Sequence, residues 1–142
     1  MKKEDIIKQL IPGILVGMGL GTLLGYLVGV DNQDVMKNNI GGLMSCLIPC
    51  ILNCTIVLKG TANILKRKLS IVQAFTNSII EIIIGALFGF FFHFVIVGKL
   101  LNINTCEWTR MQMTIVNMVL GVIVSTVMAY VALKRYEKKK IK

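Results

Sequence analysis

The chain has 142 residues, of which 55% are hydrophobic, and a formal net charge of +9; its mean hydropathy is +0.74. That is too apolar for an ordinary soluble domain, and the apolar runs leave no stretch long enough to form a separate one. The basic excess does not point to nucleic acid either, because it is confined to short segments between and beyond those runs.

Four runs are free or nearly free of charge, at about residues 10–30, 38–58, 71–98 and 111–133. Each meets or exceeds the roughly 20 residues needed to cross a hydrocarbon core of about 30 Å. The sequence therefore predicts an all-α integral membrane four-helix bundle, one domain over 1–142 with a basic tail at 134–142. Three basic clusters fall on one side of alternating spans. They are Lys2, Lys3 and Lys8; Lys59, Lys66, Arg67 and Lys68; and Lys134, Arg135, Lys138, Lys139, Lys140 and Lys142. The opposite loops hold Lys37, Lys99 and Arg110, offset by Asp31, Asp34 and Glu107. The excess of positive charge on inner loops places both termini in the cytoplasm, in a multi-pass protein of the cell membrane. No small-x-small cleavage site follows the first run, which is expected to remain as an anchor. Abundant Ile, Lys and Asn fit a bacterial source.

The first run opens on Pro12, where the missing N–H costs nothing, and carries Gly13, Gly17, Gly21, Gly25 and Gly29. A polar turn at residues 31–34 closes it. The second carries Gly42, Cys46, Cys50 and Cys54, with Pro49 predicting a kink and Asn53 one turn beyond. The following loop, 59–69, alternates basic and apolar residues and is expected to meet anionic lipid headgroups, as is the tail. Ser70 and Gln73 form a capping-box pattern opening the third helix, which is longer than the bilayer core and so tilted or partly laid in the interface. Its stripe is Asn77, Glu81, Gly85, Gly89 and His93. Asn104 and Glu107 are expected to cap the fourth helix, with Trp108 at the outer interface and Tyr130 and Tyr136 at the inner one. The last stripe is Asn117, Gly121, Ser125 and Ala129. A spacing of four traces a narrow, slowly winding stripe, and small residues on it let backbones approach in lipid. The glycines and cysteines of these stripes are accordingly read as helix-packing positions. Spans one and three are both glycine-laddered, and two and four mix Met, Asn and small polar residues, as a two-helix unit used twice would.

The stretches GLMSCLIPCILNCTIVL and NSIIEIIIGALFGFFFHFVIVGKL resemble an uncharacterised bacterial family of small membrane proteins built from two-helix units. Ser45, Asn53, Glu81, Val97 and Gly98 take the places of that family's polar and Val-Gly positions. The chain departs from it at Pro49 and Lys99 and in its glycine-rich first span. The resemblance implies architecture and no chemistry.

A carboxylate in hydrocarbon must be paired, hydrated or protonated, which makes Glu81 the leading candidate for a proton-responsive site. Its expected partners are Asn77, Asn53, Cys54 and Ser125. His93, about 18 Å along the helix, is too far from Glu81 for a dyad and is read as bonding Asn117 or a backbone carbonyl. The cysteine stripe could ligate a soft metal, but its spacing is not that of a metal loop, and Cys106 could cross-link subunits. No phosphate-binding, zinc-protease or serine-elbow motif occurs, so no enzyme and no cofactor is expected. Three readings follow. The first is a small-solute transporter acting as a homo-oligomer, most simply a dimer, with Asn77, Asn53, Asn117, Ser125 and His93 as further polar-core candidates beside Glu81. The others are a structural subunit of a larger membrane complex, and a metal or redox protein using His93 and the cysteines.

Overall fold

The computed structural model describes residues 1–28, 35–92, 95, 99–102 and 109–139. Its principal elements are α1 (Lys3–Val28), α2 (Val35–Ile64), α3 (Ile71–Asn77), α4 (Ile79–Phe91) and α5 (Arg110–Lys138). Two stretches, Asn39–Ile64 and Met111–Lys138, are long and apolar enough to cross a membrane; α3 and α4 add a third if taken as one span bent by 58°.

The bend corrects the continuous helix expected over 71–98, and Ser78 explains it. Its hydroxyl donates to the Ala74 carbonyl at 2.9 Å and the Phe75 carbonyl at 3.1 Å. A serine bonding back onto the preceding turn competes with the helical ladder and bends it. The start of α3 matches the sequence: Ser70 Oγ accepts from Gln73 N at 3.1 Å, and Gln73 Oε1 accepts from Ser70 N at 3.0 Å.

Other boundaries also move. The second helix runs on to Ile64, so half of the expected basic loop is helical. Its end is a Schellman turn, with Lys66 at φ 54° and bonds from Lys66 N to Asn63 O and from Arg67 N to Ala62 O. The last helix opens on a Thr109–Gln112 capping box, whereas Asn104 and Glu107 lie outside the described residues. It continues to Lys138, placing Lys134, Arg135 and Lys138 in helix rather than tail. Cations suit the negative end of a helix, and Lys134 also pairs with Glu137 at 3.2 Å.

The second helix is the central element, packed against α1, α3, α4 and α5. It buries Cys46, Cys50, Cys54 and Val57 with Ile82 of α4 and Leu120, Val124 and Leu133 of α5. A smaller cluster joins Leu58, Ala62, Leu69, Ala74 and Ala132 beneath the turn into α3. Glycines set the separations. A Cβ on Gly89 would run into the Gly42 carbonyl and Cys46, one on Gly85 would lie 2.6 Å from Cys50 Sγ, and one on Gly121 would strike the Ser45 carbonyl. Gly17 is close to Ser125 and Val122 of α5. Gly21 and Gly25 lie within α1, while Gly29 is outside the described residues.

The three basic clusters meet at one end of the molecule. Met1 pairs with Glu137, Arg67 donates to the Tyr136 carbonyl at 3.1 Å, and its guanidinium lies 5.3 Å from the centre of the Tyr136 ring.

Candidate functional site

The bend at Ser78 puts Glu81 in the first turn of α4, where a carboxylate favours the positive helix end. Its side chain is 4% exposed and is clasped by Arg135, whose Nε lies 2.9 Å from Oε1 and whose Nη2 donates to Oε2 at 2.9 Å. The same Nη2 donates to the Asn77 carbonyl. This two-pronged geometry is the strong form of an ion pair, and it ties the end of α5 to both halves of the bent helix.

Arg135 was missing from the partners expected of Glu81. The side chain of Asn77 donates instead to Gln73 O at 2.8 Å, and Ser125 Oγ donates to Val122 O of its own helix at 3.3 Å. Asn53 faces α1. The signal that was available is the run of cations after Leu133: with the helix carried on through them to Lys138, Arg135 stands two residues beyond the apolar run, within reach of Glu81 for its long side chain.

Depth follows from the glycine contacts. Gly85 meets Cys50 and Gly89 meets Cys46, so α2 and α4 run antiparallel and Glu81 stands level with Cys54 and its neighbour Asn53. On the other side of α2, the Asn53 side chain fills the volume that a side chain at Gly13 would take. Asn53 is fully buried, and neither its Oδ1 nor its Nδ2 has a hydrogen-bond partner. One turn along α1, Gly17 lies over Ser125; two turns further along α5 is Asn117, which is also fully buried. Asn53, Ser125 and Asn117 thus mark a polar seam of about 18 Å at 1.5 Å per residue, walled on α1 by Gly13 and Gly17. Thr61 and Ser45 of α2 add further buried hydroxyls without partners. A cavity of about 400 Å³ opens beside the clasp, lined by Asn77, Arg135, Tyr136, Lys138 and Lys139 among others.

The cysteine stripe turns the other way. Cys46, Cys50 and Cys54 are free, fully buried thiols, and the first two press on the glycines of α4. Among the described residues no three His, Cys, Asp or Glu side chains are grouped to hold a metal. His93, Cys106 and Trp108 lie outside the described residues.

Comparison with known proteins finds no matching family model, no matching curated protein and no matching solved structure. The resemblance of spans two and three to a two-helix family rests on its quoted residues alone, and of these Val97 and Gly98 lie outside the described set.

Proposed function

We propose that the protein is a small permease-type transporter of the cell membrane, a four-span bundle of α1, α2, the bent α3–α4 pair and α5, with its basic end toward the cytoplasm and acting as a homo-oligomer. The polar seam is its solute path in a closed state, and the Glu81–Arg135 clasp is the latch at the path's inner end. Asn53 is the observation that carries this reading. Leaving buried polar atoms without partners costs about 1–3 kcal/mol each, and in lipid nothing outside the bundle can supply a partner. A purely structural helix contact would be served better by an apolar side chain of the same size. An amide that is orphaned when the bundle is closed is accounted for by a second state in which water or solute reaches it. In that state the clasp opens, and both oxygens of Glu81 are released from Arg135. The cationic lining of the cavity beside the clasp favours small anionic solutes at the inner mouth.

Proteoliposomes assayed with a panel of inorganic anions, small carboxylates and neutral polar solutes test the reading. Native protein should carry at least one of them, and Glu81→Gln should abolish that flux while the protein still folds, with a smaller drop in the thermal melt in detergent than Arg135→Gln, because the half-exposed arginine it leaves unpaired can turn to water. Equal flux in the variant would overturn it.

A second reading, a non-catalytic subunit of a larger membrane complex, is favoured by the closure of the clasp, which leaves neither oxygen of Glu81 unpaired. It predicts no flux for any solute and a partner that co-purifies with native protein and with Glu81→Gln alike.

A further inference from the structure

We propose that the groove between α2 and α3 is a binding site for one anionic glycerophospholipid, with its phosphate on Lys59, an ester carbonyl on Thr55 and an acyl chain along the apolar floor. The groove holds about 550 Å³. Its walls are Ile51, Leu52 and Ile56 on one side and Ile71, Val72 and Phe75 on the other. Two polar residues complete the lining, and their placement is what selects the occupant.

Lys59 stands at the basic end and donates to the Leu69 carbonyl, which fixes the ammonium over the groove while one of its three N–H groups is used. Arg67 is engaged with Tyr136; Lys66 and Lys68, on the same turn, are exposed and add positive potential without entering the groove. Thr55 lies one helical turn, about 6 Å, further in. Its hydroxyl has no hydrogen-bond partner and is turned under cover, and a rotation about χ1 aims it into the groove that the residue lines. A cation at the mouth, an unpartnered donor one turn deeper and hydrocarbon beyond reproduce the order of a phospholipid read inward: phosphate, glycerol ester, chain. A soluble anion would use the first of these and leave the rest unmatched. The bend at Ser78 creates the site, because it swings α3 away from the line of α4 and leaves Ile71 and Val72 67% and 71% exposed. This inference stands whether or not the protein transports.

Native mass spectrometry of full-length protein released from vesicles of equal phosphatidylcholine and phosphatidylglycerol, matched in chains, tests it. The expected result is one retained phosphatidylglycerol per chain. Lys59→Gln should lower its enrichment over phosphatidylcholine roughly fivefold, the factor for one cation at a membrane surface. Thr55→Val should lower retention, and so should Leu52→Trp, which keeps every charge and fills the seat of the chain. Lys3→Gln, an exposed cation elsewhere at the basic end, should leave retention unchanged. No preference for phosphatidylglycerol, equal loss with Lys3→Gln, or complete displacement by glycerol phosphate lacking chains would each overturn the proposal.

Discussion

Glu81 and Arg135 are 54 residues apart in the chain, and neither explains itself alone. The carboxylate is nearly inaccessible, while the arginine side chain is 47% exposed, so the guanidinium reaches inward from a wet end to neutralise a dry charge. Removing one partner of a fully buried pair costs roughly 3–5 kcal/mol, because the other is left uncompensated. Screening at the exposed arginine reduces this, and Arg135→Gln should destabilise the protein by about 2 kcal/mol, read as a lower melting temperature in detergent. Arg135→Lys should recover only part of the loss, since an ammonium cannot present the guanidinium's fork to both oxygens. Full recovery by lysine would mean that the charge matters and the fork does not. The sequence marks Glu81 as the one ionised group within its apolar runs, but its partner was hidden by the convention that ends a span at the first cluster of cations.

At the scale of the helix, small residues at intervals of four were legible as packing surfaces, and the contacts separate those that pack from those that do not. Gly89 and Gly121 each face a backbone carbonyl of α2, whereas a Cβ on Gly19 would meet nothing within 4 Å. Gly89→Ala should therefore cost about 1–3 kcal/mol, as overpacking does, because a carbonyl cannot step aside as a flexible side chain can. Gly19→Ala should be neutral or stabilise by up to about 1 kcal/mol through helix propensity. Thermal melts of the two variants side by side check this, and a similar loss in both would contradict the packing account, because the unfolded-chain effect of Gly→Ala is stabilising. The capping box at Ser70 was readable because cap and partner are three residues apart. The break at Ser78 was not, because the short polar patch Thr76, Asn77 and Ser78 is compatible with a continuous helix, and only the serine's return to Ala74 and Phe75 reveals the bend. In the same way, Asn53 was legible as a polar residue one turn beyond Pro49, but the glycine opposite it lies on another helix.

Over the whole molecule, the two ends of α5 do different work. Arg135 closes the clasp at the basic end, and Ser125 and Asn117 line the seam that runs away from it. One helix carries all three, so the clasp and the seam are joined through α5. The polar seam, more than the ion pair, separates a transporter from a structural subunit: a clasp can merely hold helices together, but a path must admit water. Substitution of Asn53 by cysteine, with labelling at position 53 read by peptide mass spectrometry in sealed proteoliposomes, measures this directly. A membrane-impermeant maleimide should label that position, and Arg135→Gln in the same chain should speed the labelling severalfold. Failure to label position 53, with the clasp intact or broken, would contradict a water-accessible path through the bundle.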